Sequence, residues 1–378
     1  MSNKYKFDIT YVFGAGRKTK LNSNEHFGKE FFYGYPYFED KDYSMNIIET
    51  VGRHRSSPIS FLINLLDAVL SKGTKLTFYM TNIVTKENLS EIYRSRNIVS
   101  SNHGIGMTCF PFIRIFKFFK SINFIVINSG LFAMKNTYLI VRLFRKIVLY
   151  LFLNTVDKII FTSRSEFNFA KKRYPKFNGK FVCLPFCLDL DFWKPTREID
   201  NNIKKGVLFI GSNGHRDFNL AVEIANKLKD IPFTFITKII KDSDIKSQNV
   251  TNILGDWNAS YLSDPEIKNY YETSRLVILP INNTLVSSGQ SAGLQAASVG
   301  TTVLTTRTIG FWDYDNYKDS ENIIFLEDNK LDLWADKITE IYESKALLDK
   351  ISNNSIKLVR KKYDLNIFNL EIEKYLRL

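Results

Sequence analysis

Short, continuous apolar runs recur along this chain, with helical stretches between many of them, and they come in two series. The first comprises ITYVF (9–13), MNIIE (45–49), LTFYM (76–80), NIVSS (97–101), FIVINS (124–129), KIIFTS (158–163) and FVCLP (181–185). The second comprises GVLFIG (206–211), FTFIT (233–237), LVILP (276–280), TVLTT (302–306) and IIFL (323–326). Runs of this kind suit strands buried on both faces. Helical periodicity is clear in SFLINLLDAVLSKG (60–73) and NLAVEIANKLKD (219–230). Strands separated by helices need crossover connections, and these build parallel sheets. At 378 residues, 44 % of them hydrophobic, the chain is too long for one ordinary domain and can fill two cores. The polar stretch 186–205, which holds Pro195, separates the two series. The expectation is an α/β protein with domains at 1–190 and 191–365, and a last helix in 366–378 that packs back on the first. There is no repeat at a solenoid period and no low-complexity tract.

One stretch in the second series points to a ligand. SSGQSAGLQAASVGTTVLTT (287–306) follows a strand, and Gln290–Val299 reads as a helix with small residues at Ala292, Gly293, Ala296 and Ala297 for close packing. Ser287 or Ser288 is the expected N-cap, and Gly300 stands where a left-handed stop is expected. A strand feeding a helix N-terminus at the carboxyl edge of a parallel sheet is a place where anions bind. A plainly capped turn would have the same residues.

Charge is distributed unevenly. The net +13 divides into +14 over residues 1–200 and −1 over 201–378, and residues 101–180 alone carry 14 basic side chains against Asp157 and Glu166. Arg114, Lys117 and Lys120 recur three apart in FPFIRIFKFFK, which predicts one helix face, and Arg142, Arg145 and Lys146 cluster in LIVRLFRKIVLYLFL. Basic, aromatic, amphipathic stretches of this kind fit an anionic membrane interface, and a core helix with solvated charges is the alternative. No nucleic-acid recognition motif is present, so nucleic acid is not an expected partner. Cys109, Cys183 and Cys187 lie in apolar surroundings without metal spacing, which fits a reducing, cytoplasmic compartment. The start MSNKYKFDITYVF lacks a signal-peptide core, and no run is long enough to span a bilayer.

KIIFTSRSEFNFAKKRYP followed by KFVCLPFCLDLDFWKP is similar to the linker-side signature of glycosyltransferase family 4, at Ser163, Pro185, Asp189, Phe192 and Pro195. QAASVG matches the end of that family's donor-site helix, with Gln295 in the slot of the second glutamate of its pattern and Ser287 in the slot of the first. The resemblance covers about the last two-thirds of the chain, and neither carboxylate is retained. It implies the GT-B fold, two Rossmann-like domains facing each other across a cleft. It further implies that Gln295 holds the ribose of a nucleotide-sugar, that Ser287 lies toward its sugar, and that Ser287, Ser288, Gly289, Gln290 and Ser291 lie under the diphosphate. Arg216, in GSNGHRD after a strand, is the fixed charge for that diphosphate, or else a surface arginine pairing Asp217. Gly14 and Gly16, after the first strand, would face the donor. A nicotinamide nucleotide is the other reading of GAG, and no suitably spaced acid follows it.

His103, after the fourth apolar run, is the candidate base or hydrogen-bond donor to a sugar hydroxyl, with a turn histidine as the other reading. Glu30 is an alternative base, and His26 is a weaker candidate. Asp189-Leu-Asp191 imitates a metal-binding motif but reads as structural, so no metal and no cofactor beyond the donor substrate is expected. The sequence thus implies a peripheral glycosyltransferase on the inner membrane face, with a lipid-linked or glycan acceptor. Its rivals are a sugar-nucleotide epimerase and a non-catalytic assembly protein on a decayed transferase fold.

Overall fold

The computed structural model describes residues 5–50, 58–133, 137–255 and 262–378. The first residues of the amino-terminal stretch read above, and three residues of the 101–180 segment (134–136), lie outside them. The chain divides into two compact units. The first comprises Met1–Asn24, Phe31–Leu184 and Asn369–Leu378, and the second Glu25–Glu30 and Pro185–Phe368. Each unit is described by itself.

The first unit is a six-stranded parallel sheet of β1 (Phe7–Phe13), β2 (Met45–Glu49), β3 (Ser95–Ser100), β4 (Asn123–Asn128), β5 (Lys158–Phe161) and β6 (Phe181–Cys183), in the order β2-β1-β3-β4-β5-β6. All six residues of β4 are buried, as a central strand covered on both faces requires. Side chains cap the helices that follow β3 and β5: Asn102 accepts from Ile105 N at 2.9 Å, and Ser163 accepts from Glu166 N. The chain's last residues bond to side chains of the central strands β3 and β4. Asn123 donates to the Tyr375 carbonyl, and Arg377 N donates to Asn97.

The second unit repeats the plan with β7 (Val207–Ile210), β8 (Phe233–Ile236), β9 (Val250–Ile253), β10 (Leu276–Leu279), β11 (Thr302–Thr306) and β12 (Ile324–Leu326), in the order β12-β11-β10-β7-β8-β9. Its core packs Val207, Phe209, Ile224, Phe235, Ile278 and Trp334 against one another.

One expected strand is absent among the described residues, and one strand was not expected. LTFYM forms no strand: Tyr79 N donates to Thr108 Oγ1 at 2.8 Å and Met80 N to Asp67 Oδ1 at 2.7 Å, so side chains take donors that a ladder would use. Strand β9 went unread because it is an edge strand, only partly buried, with polar Thr251 and Asn252. The helix expected to carry Arg114, Lys117 and Lys120 on one face ends at Phe116. Beyond it, Lys117 bonds the Thr155 carbonyl and Asp157, and Lys120 is buried, donating to the Tyr93 carbonyl. Arg145 is likewise turned inward.

Candidate functional site

Each sheet has one topological switch point, where successive strands depart in opposite directions. It lies between β7 and β10 in the second unit and between β1 and β3 in the first. Loops at the carboxyl ends of such strand pairs form the binding crevice of open α/β sheets.

In the second unit the loops after β7 and β10 are tied together. Asp217 N donates to the Pro280 carbonyl and Asn282 N to the His215 carbonyl, on either side of a bridge between Arg216 and Ile281. This pins Arg216, which is 6 % exposed and so not the surface arginine of the alternative reading. Asp217 instead caps the next helix through Leu220 N. The guanidinium lies against Gly211, where a Cβ would meet Nη2 at 2.5 Å, and the φ of +118° at Gly211 favours glycine. Nε and Nη1 of Arg216 have no hydrogen-bond partner among the described residues. Burial lowers the guanidinium's pKa to about 10, against the pull of Tyr271, so it stays charged at neutral pH.

The helix Gln290–Ser298 begins beside this arginine. Its N-cap is neither serine expected to cap it. Gly289 takes that place with φ +81°, and Nη1 lies 3.9 Å from where its Cβ would stand. Ser287 donates to Gln290 Oε1 at 3.3 Å, whereas the buried Ser288 hydroxyl has no partner among the described residues. The first-turn N–H groups of a helix have no carbonyl within it to bond. Arg216, Ser288 and the helix start, with Ser291 in its first turn, therefore gather donors and positive potential at one place. At the far end, Gly300 has φ +73°, the left-handed stop the sequence led us to expect. Gly293 lies under Trp312, with 2.9 Å between an added Cβ and the ring, which accounts for the glycine there.

Further along this helix, Gln295 is bonded at both ends of its amide. Nε2 donates to Glu30 Oε1 at 3.0 Å, and Oε1 accepts from the Tyr271 hydroxyl at 3.3 Å. Trp193 Nε1 donates to the same Glu30 oxygen at 2.8 Å. Glu30 thus sits in the second unit, and burial raises its pKa to about 7 despite the hydrogen bonds it accepts. His26, from the same segment, lies 4.9 Å from the Phe192 ring. Asp189 accepts from the backbone of Asp191, Phe192 and Lys29, a structural role. Trp193 and Tyr271 were missed in the sequence. Trp193 stood next to a residue of the linker signature; nothing local marked Tyr271.

In the first unit, Gly14 and Gly16 follow β1 and His103 begins the helix after β3, so all three come to that sheet's switch point. Gly16 has φ +92°. Burial lowers the His103 pKa to about 4, against a bond to the Ser129 backbone, and its Nδ1 has no partner among the described residues. It is a neutral imidazole at physiological pH, able to accept a proton or a hydrogen bond.

No family model matches the chain, and no curated protein matches it in sequence. Solved structures do. A glycosyltransferase from Rickettsia africae aligns with a TM-score of 0.63 at 13 % identity, over 99 % of this chain and 98 % of that one. HepE from Anabaena, solved with UDP and glucose, aligns at 0.64 and 9 % identity, over 98 % and 99 %. Sucrose-phosphate synthase from Thermosynechococcus elongatus aligns at 0.63 and 11 % identity, over 98 % of each chain. The chain has the two-domain α/β fold of GT-B glycosyltransferases.

Proposed function

We propose that this protein is a glycosyltransferase whose second unit binds a nucleotide-sugar donor. The observation that carries the proposal is Arg216: a buried guanidinium with two nitrogens unpartnered among the described residues, at the switch point, beside a helix N-terminus. Leaving such a charge uncompensated is costly, and an anion that enters the site offsets it. A diphosphate fits, because an arginine fork can bond two of its oxygens while the helix start and Ser288 take others. The same groups would offset the negative charge that develops on the leaving nucleotide, with no metal assigned to that task. Gln295, five residues into the helix, lies about 7.5 Å from its start at 1.5 Å per residue and would meet the ribose. Ser287, at the loop, would lie toward the sugar. In the first unit, the neutral imidazole of His103 would serve the acceptor, and Gly14 and Gly16 would face the donor. The neighbouring fold members solved with UDP or UDP-glucose support a donor of this class.

The acceptor is lipid-linked or a membrane glycan, reached from the cytoplasmic face. The support is a surface on the first unit. Helix Leu139–Thr155 exposes Leu139, Ile140, Leu143, Ile147 and Tyr150 along one face, with Arg142 and Lys146 exposed beside them. Helix Pro58–Thr74 packs against it, Gly73 under Phe144, and exposes Phe61, Leu62, Leu65, Leu66 and Val69. An apolar face rimmed by cations fits an anionic bilayer. Among the described residues no helix is long and apolar enough to cross a membrane.

A thermal-shift panel of UDP, GDP, CDP, ADP and dTDP tests the donor reading, since a specific ligand raises stability by mass action. One nucleotide should shift the transition, and adding its sugar conjugate and an acceptor should yield product. No response to any would support the non-catalytic alternative. Conversion of the sugar nucleotide without acceptor would support an epimerase.

A further inference from the structure

Glu30 reaches the Gln290–Ser298 helix from a segment 265 residues away in sequence, and a glutamine amide is an unusual group to fix with such a long-range contact. The two ends of a carboxamide have nearly the same shape, so an unconstrained Gln295 can present either end to a ligand. Here one orientation is imposed. An acceptor, Glu30 Oε1, stands at 3.0 Å from Nε2, and a hydroxyl, that of Tyr271, donates to Oε1 at 3.3 Å. Each end of the amide then keeps one valence, an N–H and a lone pair, the set needed to pair with two adjacent hydroxyls. Glu30 is itself fixed by Trp193 Nε1 at 2.8 Å. Gly28 leaves space for that contact: a Cβ there would stand 2.7 Å from the indole nitrogen. Gly28 is in turn held by Asp264, to whose carboxylate its N–H donates at 3.1 Å.

We infer that Glu30 is a positioning residue: bonded to the Gln295 amide, it sets which way that amide faces and so makes the site select the 2′,3′-diol of a ribonucleoside diphosphate. The inference rests on the donor reading above. It gives a buried acid no part in proton transfer and makes it a determinant of sugar-ring selectivity in the nucleotide.

Calorimetric titration of wild type, Glu30→Leu and Glu30→Gln with UDP, 2′-deoxy-UDP and inorganic pyrophosphate tests it, with the base replaced by whichever the panel selects. Wild type should prefer UDP to its deoxy form. Glu30→Leu should weaken UDP binding by about ten-fold and erase that preference, while pyrophosphate binding stays unchanged. Glu30→Gln keeps an acceptor oxygen for Gln295 and Trp193, and should remain within about three-fold of wild type for all three ligands. Should the leucine variant not fold, Tyr271→Phe releases the other end of the amide and should lower the same preference. A preference left intact in Glu30→Leu or in Tyr271→Phe overturns the inference, as does an equal loss of pyrophosphate binding. These outcomes leave the donor reading standing. A wild type that binds no nucleoside diphosphate overturns the donor reading and this inference together.

Discussion

Two regions of the chain treat their cations in opposite ways. In the basic segment of the first unit, two half-buried lysines have their donors taken up by protein oxygens. Lys180 donates to the carbonyls of Leu153, Asn154 and Val156 at 2.7, 3.0 and 2.6 Å, closing the end of helix Leu139–Thr155. Lys117 bonds the Thr155 carbonyl and Asp157. At the switch point of the second unit, Arg216 is more deeply buried and has Nε and Nη1 unpartnered. A cation with its donors filled serves the fold, because removing it would strand carbonyls. A cation with donors unfilled is stabilised by what arrives, because removing it strands nothing in the free protein. The difference is the physical ground on which Arg216 is proposed to meet a ligand.

The largest expected effect concerns pH, and it distinguishes the two switch points by sign. Folding raises the Glu30 pKa from 4.5 to about 7, so the folded state holds a proton that the unfolded state has released. Its contribution is complete below about pH 4.5 and is lost as pH rises through 7, a loss of about 3 kcal/mol. His103 runs the other way. Its pKa falls from 6.5 to about 4, so its contribution is present above 6.5 and is lost as pH falls toward 4. Urea unfolding across pH 4 to 9 should show the alkaline loss flatten in Glu30→Gln and the acid loss flatten in His103→Gln. A Glu30→Gln curve that still falls between pH 5 and 8 as wild type does would contradict the first.

Next in size is Lys180→Met, which strands three carbonyls at a helix end. It should lower stability by about 1 to 3 kcal/mol and leave nucleotide affinity unchanged. A change in affinity without loss of stability would break the distinction between the two regions. The smallest effect per residue is at the surface. Arg142→Glu with Lys146→Glu should release the protein from anionic vesicles in a flotation assay, at about 1 kcal/mol for each charge removed and less in high salt. Equal flotation of wild type on neutral lipid at high salt would refute the electrostatic part of the membrane reading.

Much of the fold was legible because central parallel strands must be apolar on both faces, and eleven of the twelve apolar runs became strands. LTFYM misled because its residues alternate and bury as a strand's do while its backbone donors go to Thr108 and Asp67. At the site, Arg216, Gly289 and the Gln290 helix were legible from a strand–loop–helix pattern that is local in sequence. The Glu30–Gln295–Tyr271 chain was not, since pairs 265 and 24 residues apart leave no periodic trace. Composition counted the charge of residues 101–180 correctly but gave no direction to it. Lys117, Lys120 and Arg145 turn inward, while Arg142 and Lys146 remain on the apolar face.

The central claim, that Arg216 is held unpaired for a diphosphate, is tested most directly by titrating UDP and pyrophosphate into wild type and Arg216→Ala while recording the stability of each free protein. Loss of a charge-assisted contact, worth about 1.5–3 kcal/mol, should weaken both ligands by ten-fold or more, and the free variant should be no less stable than wild type. Unchanged affinity in a folded variant, or a stability loss without a binding loss, would assign Arg216 to the fold and contradict the account.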